Sequence, residues 1–345
     1  MGVDLGSLIQ KRPVTLESLS GRQIAFDAFN ILYQFLASIR QEDGTPLMDF
    51  KGNPTGHLSG LFYRNSRLIE NGIRPIYVFD GLPPRFKQRE IERRKALKKE
   101  AESKWQEALD YGRLEEAKKF AQATSRLTKD MVEEAKQLLS AMGIPHVQAP
   151  SEGEAQAACM AQKGAVYASA SQDYDSLLFG SPRLLRNLSI TGKRKVPRQD
   201  RYVMVEPEEI ILGESLSILE LSREQLILLG ILVGTDFNEG INGVGPKTGI
   251  KIVREHKTLE AVRAHAKLKF NYEFPDEITE IFDFFASPPY TQDYSIKAGN
   301  MDKGAVTRIL VDSHDFSEER VDRVFQSTEK AMKEKSSQKK MEEWF

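Results

Sequence analysis

Three apolar, β-prone runs each stop at an aspartate, and this repetition constrains the fold more than any other feature of the chain. They are Arg22-Gln-Ile-Ala-Phe-Asp27, Arg74-Pro-Ile-Tyr-Val-Phe-Asp80 and Ala165-Val-Tyr-Ala-Ser-Ala-Ser-Gln-Asp173. A helical run from Ala28 to Arg40 follows the first, Gly81 and a Pro-Pro break follow the second, and Tyr174 and Asp175 follow the third. Strands of this kind, separated by helical stretches, predict an α/β fold with a mainly parallel central sheet and helices on both faces. Ligands of such sheets bind beyond the carboxyl ends of the strands, so the three aspartates are expected on one edge. One strand ending in Asp is ordinary turn chemistry. Three converging ends point to a site.

Cys159 is the only cysteine, and the five histidines are scattered. Disulfides within the chain and a thiolate zinc site are therefore excluded, and any metal site must be built from oxygen. Asp27, Asp80, Glu152, Glu154, Asp173, Asp175 and Asp236 all fall at predicted strand ends or helix starts. Mg²⁺ prefers oxygen ligands and keeps several waters, so a two-ion site needs such an excess of acids. Each acid also has a plainer reading. Ser151 with Glu154 fits a helix capping box, and Glu152 favours a helix dipole without any metal. Asp173-Tyr-Asp175 fits a turn or part of a calcium loop, although the spacing and glycine of an EF-hand are missing.

The formal net charge is −1, but the charge is unevenly placed. Between Arg85 and Lys99 eight basic residues face only Glu90 and Glu92; between Arg183 and Arg201 seven face only Asp200. One such stretch is as readily a solvated face; two favour a polyanionic partner. Phe86 to Gly143 is polar and helical in character, with few large apolar residues before Met131, so helices projecting from the body are expected there. Further helices are expected from Ser151 to Lys163 and from Leu221 to Val233, the latter delivering Gly234-Thr-Asp236. Gly243-Val-Gly-Pro-Lys-Thr-Gly249 opens an amphipathic helix through Ile250, Ile252 and Val253. Turn amides at a helix N-terminus suit phosphate, and Lys247, Lys251 and Arg254 add charge. From about Gln326 the chain is rich in Lys, Glu and Ser and reads as a flexible tail with an apolar end. With 40% hydrophobic residues, no run of membrane-span length and no apolar stretch in Met1 to Pro13, the chain reads as soluble, intracellular and without membrane attachment. Gly6 stands where a myristoylation start requires Ser or Thr.

Met1-Gly-Val-Asp-Leu-Gly6, Phe26-Asp-Ala28, Val78-Phe-Asp-Gly81, Ser151-Glu-Gly-Glu-Ala-Gln156, Gln172-Asp-Tyr-Asp175 with Gly180-Ser-Pro182, and Gly234-Thr-Asp-Phe237 follow one another in a specific order and spacing. In these motifs the chain resembles the flap endonuclease family of structure-specific 5′ nucleases, from residue 1 to about 256 and again in the last eight residues. The resemblance implies a PIN-like 5′-nuclease core, a helical arch and a helix-turn-helix-type duplex-binding module. It implies that the seven carboxylates hold two Mg²⁺ ions, with Mn²⁺ able to substitute. Asp27, Asp80, Glu152 and Glu154 would lie mainly around one ion, and Asp173, Asp175 and Asp236 around the other. Lys87 and Arg94, two helical turns apart, match basic residues aimed at the scissile phosphate; without the resemblance they are solvated cations. Tyr33 matches an aromatic that stacks on the base beside the cut, and otherwise reads as core. Gly243 and Gly245, with Lys247, Lys251 and Arg254, match a backbone-gripping turn that also binds K⁺. Gln338, Met341, Trp344 and Phe345 match the peptide by which replication proteins dock on a sliding clamp.

The activity implied is hydrolysis of phosphodiester bonds in branched or nicked DNA, releasing a 5′ flap, with 5′-3′ exonuclease activity, in replication and repair. The division implied is residues 1–84 and 131–236 for the nuclease core, 85–130 for the arch, 237–325 for the duplex-binding module with C-terminal helices, and 326–345 for the tail. Two rivals share these features: a related 5′ exonuclease, and a catalytically silent DNA-junction binder, against which retention of all seven acids counts. No basic extension follows Phe345, which resembles archaeal members and favours a cytoplasmic, nucleoid-associated site; a eukaryotic member would be nuclear.

Overall fold

Along the strand that ends at Asp27, Ile24 and Phe26 turn to one side and Ala25 to the other, and all three are fully buried. Side chains alternate along a strand, so a strand covered on both faces needs apolar residues at every position. That is why the sequence shows continuous apolar runs there. The computed structural model describes residues 2–41, 43–189, 192–195 and 202–342, the side chains of 192–195, 202, 203 and 335–342 excepted.

In chain order the first half comprises β1 (Arg12–Pro13), β2 (Gln23–Asp27), α1 (Ala28–Ser38), α2 (Gly56–Glu70), β3 (Arg74–Phe79), α3 (Gln88–Asp110), α4 (Leu114–Ala123), α5 (Lys129–Ala141) and β4 (His146–Gln148). Then come α6 (Gly153–Gln162), β5 (Ala168–Ala170), α7 (Asp175–Leu178), β6 (Arg183–Arg186), the β7 (Gly192–Lys195) and β8 (Tyr202–Val205) pair, and β9 (Glu208–Ile211). The remainder is helical: α8 (Leu212–Leu219), α9 (Arg223–Val233), α10 (Pro246–Glu255), α11 (Leu259–Phe270), α12 (Ile278–Ala286), α13 (Lys303–Thr307) and α14 (Glu318–Glu342).

The seven-stranded sheet runs β1-β9-β6-β5-β2-β3-β4. The five strands from β6 to β4 are parallel, and β9 and β1 add antiparallel pairs at one edge. The chain builds outward from β2 to β3 and β4, then returns to β2's other side to add β5 and β6. The order therefore reverses between β2 and β5, and an open α/β sheet has its ligand crevice at such a switch point.

One face of the sheet packs against α1, α2 and α5 through Phe26, Tyr77, Phe79, Phe35, Phe62 and Leu139. The other packs on α6 and on an extended strap between α12 and α13, whose Tyr294 and Ile296 cover Ala25, Val78 and Val147. Gln156 fastens the strap through both amide atoms, donating to Thr291 O at 3.0 Å and accepting from Thr291 N at 2.8 Å.

Residues 237–325, read from sequence as one module, divide their apolar residues between two cores. Val253, Val262, Ile281 and Phe285 join α9 and the N-terminal Val3 and Leu5. Val306, Leu310 and Val321 join the α1, α2 and α5 core instead. Nor does the chain break at Gln326, where a flexible tail was expected: α14 continues through it, because Val321 and Val324 pack inward and Thr328 is buried beside Glu70 of α2.

The projecting helices α3 and α4 form a hairpin in which Ala101, Ala108, Ala117 and Ala121 are buried. Its return helix rests on the loop after α1, where Gly44, at φ +88°, has room for no side chain: a Cβ there would stand 2.7 Å from that of Ala121. Among the described residues no helix is long and apolar enough to cross a membrane.

Candidate metal centre

The parallel strands deliver their acids as they end. Asp27 is the last residue of β2 and caps α1, accepting from Asn30 N at 3.1 Å. Asp80 follows β3, and its Oδ1 accepts from Gly153 N at 2.7 Å, tying that strand to the start of α6. The residue preceding α6 is Glu152, with no side-chain capping bond, so the Ser151–Glu154 capping box is not formed. Glu152 and Glu154 are thus both released from helix-capping duty. Glu154 instead accepts from Ser171 Oγ, and from Ser176 Oγ at 3.4 Å. Asp173 and Asp175 flank Tyr174 at the start of α7, and Asp236 follows α9 after Gly234, whose φ of +109° turns the chain out of the helix.

Burial, then Asp80 and Asp173, hold the Asp27 carboxyl well above its usual range against the opposing Asn30 amide and Lys87. Glu154 is pushed well up by burial and by Asp27, Asp173 and Asp175. Burial first, then Asp236, pushes Asp175 up to about 7. Asp80 and Glu152 are raised mainly by burial, with Asp236 adding to both and Lys87 opposing. Pairwise repulsions thus form a ring that runs Asp173, Glu154, Asp27, Asp80, Glu152, Asp236, Asp175 and back to Asp173.

Two cations enter the ring. Lys87, in the short turn that leads into α3, places Nζ 2.5 Å from Glu152 Oε2, and Arg94 on α3 places Nη2 2.6 Å from Asp236 Oδ2. Burial works against the Lys87 ammonium, yet Glu152, Asp80 and Asp236 together raise it. Arg94 is likewise raised: Asp236 and Glu90 outweigh its desolvation. These two are not solvated arch cations.

Desolvated carboxylates this close repel one another, and protons, hydrogen-bond donors or bound cations relieve that. The donors are all oxygen, which suits a hard divalent ion. Among the described residues no three acidic side chains converge closely enough to hold an ion by direct bonds alone. An all-oxygen set of this kind is one that Mg²⁺, which keeps part of its water shell, uses partly through water.

Three further contributors stand around the acids, of which Asn30 and Ser171 carry no sequence signal of their own and the chain's start is marked only by the Met1 to Gly6 motif. Asn30 Nδ2 donates to Asp173 Oδ2 at 2.8 Å. Ser171 Oγ lies between Glu154 and the Asp173 amide. Gly2 N donates to Asp173 Oδ1 at 3.1 Å and Val3 N to Asp175 Oδ1 at 2.7 Å, so the chain's start is threaded against the acids. The repeated Asp at strand ends directs attention to this edge, but a lone Asn, Ser or Gly there looks like any turn residue.

The other expected residues lie around this centre or apart from it. Tyr33 is on α1, 36% exposed and so not core, with Lys98 Nζ 4.7 Å above its ring. Gly243 takes φ +82° and Gly245 precedes α10; both are exposed, as are Lys247 and Lys251. Arg254 turns back onto α8, donating from Nη2 to Leu219 O at 2.8 Å, and so serves that helix's end. In the second basic stretch, Arg183 pairs with Glu209 and Arg186 with Glu208 and the Tyr174 hydroxyl, while 196–201 lie outside the described residues. Gln338 and Met341 fall on α14 with side chains outside the description, and Trp344 and Phe345 lie outside the described residues.

Comparison with known proteins gives a consistent result. Residues 1–101 match the XPG N-terminal domain and residues 143–236 the XPG I-region. The chain is 54% identical to flap endonuclease 1 of Pyrococcus abyssi over 346 aligned residues, covering 100% of this chain and 98% of that protein. The solved structure of flap endonuclease-1 from Methanococcus jannaschii matches with TM-score 0.76 and 41% identity, covering 97% of this chain and 100% of that one. The catalytic core of Rad2 in complex with DNA substrate matches with TM-score 0.69 and 26% identity, over 92% of this chain and 96% of that one.

Proposed function

The chain belongs to the flap endonuclease family, metal-dependent DNA nucleases with structure-specific flap endonuclease and 5′-3′ nuclease activity, and from that premise we propose how its residues divide the work. The observation that carries the reading is the set of acids brought to the ends of neighbouring parallel strands at the switch point, with Lys87 paired to Glu152 and Arg94 to Asp236.

Asp27, Asp80, Glu152 and Glu154 hold mainly one Mg²⁺ and Asp173, Asp175 and Asp236 mainly a second, with Mn²⁺ able to replace either. Glu154, which feels Asp27 as well as Asp173 and Asp175, stands between the two groups. The bound ions supply activation of water for in-line attack on phosphorus and stabilisation of charge on the incoming and leaving oxygens. Lys87 and Arg94 bind the scissile phosphate and stabilise its growing negative charge. Tyr33 stacks on the base next to the cut, beside Lys98, which is placed to meet the backbone.

Residues 85–130 act as an arch over this site, between the core segments 1–84 and 131–236. The Gly243 to Gly245 turn, with Lys247, Lys251 and a K⁺ ion, grips duplex backbone, so substrate choice follows DNA shape. Arg254 contributes there by holding the end of α8 beside α10. The 326–345 tail docks on a sliding clamp through Gln338, Met341, Trp344 and Phe345. The archaeal sources of the relatives support a cytoplasmic, nucleoid-associated location.

An end-labelled 5′-flap duplex tests the centre. Product is expected with Mg²⁺ and not with chelator, and Asp80→Ala or Asp175→Ala is expected to remove cleavage while flap binding stays within about an order of magnitude, because cationic surfaces supply the affinity. Near-normal single-turnover cleavage by either variant at moderate Mg²⁺ would refute the assignment.

A further inference from the structure

β2 and β5 are parallel neighbours, paired from Ile24 with Ala168 to Phe26 with Ala170, and their exits carry acids assigned mainly to different ions: Asp27 and Asp173. Asn30, in the first turn of α1, spans the crevice between those exits. Its backbone N donates to Asp27 Oδ1 at 3.1 Å, its Nδ2 donates to Asp173 Oδ2 at 2.8 Å, and its Oδ1 accepts from Gln172 N at 3.3 Å. We propose that Asn30 is a positioning residue that fixes the Asp173 carboxylate relative to Asp27 and so sets the divalent-ion affinity of the centre. The proposal rests on the reading of Asp27 and Asp173 as ion ligands.

Asn30's chemistry matches this task. The Gln172 amide requires an acceptor and the Asp173 carboxylate requires a donor, so the two ends of one side-chain amide are used in a single orientation. An aspartate there keeps the acceptor but sets a like charge against Asp173, and a leucine of similar volume keeps neither bond. Asp173 Oδ1 is held separately by Gly2 N at 3.1 Å, so both oxygens are oriented while each retains a lone pair for an ion or its water. Without Asn30, Asp173 is held at one oxygen only, and ion binding must then offset the repulsion and ordering cost that the hydrogen bonds now cover.

The test uses the full chain without DNA and Mn²⁺ as the probe, its free fraction read by electron paramagnetic resonance. Asn30→Leu is expected to weaken Mn²⁺ binding by about 10- to 100-fold, the usual loss when a ligand's outer partner is removed. Its thermal midpoint in chelator should match the parent's. Its single-turnover cleavage should fall and recover as Mn²⁺ is raised, which a collapsed site would not do. Asn30→Ser, too short to reach Asp173, is read by the same criteria if the leucine variant does not fold. Asp173→Ala serves as the reference. Binding within about twofold of the parent in the Asn30 variants, with Asp173→Ala impaired, overturns the proposal while leaving the ligand assignment standing. Parent-like binding by Asp173→Ala overturns the ligand assignment and the proposal with it.

Discussion

A Cβ built on Gly2 would lie 2.7 Å from Asp175 Oδ1 and 2.8 Å from Asp173 Cβ, closer than real contacts allow. Gly2→Ala must therefore push either the chain's start or two carboxylates out of place. Single-turnover cleavage is expected to fall by about 100-fold, the scale of a 1 Å misplacement, with flap affinity little changed; a parent-like rate would mean that the start of the chain is free to move aside. Lys87 and Arg94 make a second residue-scale case. Their charge matters most as the phosphate becomes more negative, so alanine at either position should slow the chemical step far more than it weakens binding. If rates at saturating enzyme hold while only the dissociation constant rises, both are ordinary arch cations. The acids are legible in the sequence because Asp stops an apolar run, and three such stops in a parallel sheet have one edge to share. Asn30 is not: within Ala28-Phe-Asn30-Ile it looks like an early helix residue, and its partner Asp173 is 143 positions away.

At the scale of elements, apolar content foretold β2, β3, β5 and α9 but not the other strands, and it misjudged contacts made by small or polar residues. The α3–α4 hairpin buries alanines, which add little to hydropathy yet let helices approach closely. The later part of the loop between α1 and α2, from Asp49 to Asn53, is organised by one acid. Burial works against the Asp49 carboxylate, but the Asn53 side chain and amide, His314 Nδ1 at 3.0 Å and the Lys51 amide outweigh it and lower it to about 2. Nothing in the sequence links Asp49 to a histidine 265 positions later. An acid whose folded value lies below its unfolded value of about 4 adds stability that is complete above that value and is lost as pH falls toward the folded one. Asp49→Asn is thus expected to unfold a few degrees below the parent at neutral pH. The gap should stay constant down to about pH 4 and narrow below it. Thermal unfolding across that range decides the matter, and a gap that widens in acid would mean that Asp49 is not stabilised as its charged form.

For the whole molecule, both major cores draw on the C-terminal half of the chain, and among the described residues the last to reach either are Val321 and Val324. Gln338 to Phe345 follows these residues in the chain, with its side chains outside the description. The sequence there is Gln338-Lys-Lys-Met341-Glu-Glu-Trp344-Phe345, a polar anchor followed by large apolar side chains in a charged stretch. One short helical turn brings Met341 and Trp344 to the same side as an apolar plug, the form in which a helical peptide fills a groove on a partner. Deleting these eight residues should therefore abolish binding to the cognate sliding clamp, and stimulation by it, while intrinsic flap cleavage remains. Calorimetry with that clamp separates the alternatives. Heat of binding from the full chain and none from the truncated one supports docking through this segment; equal affinity removes the segment as the docking site; and loss of intrinsic cleavage on truncation would show that the terminus folds back onto the enzyme and belongs to its core.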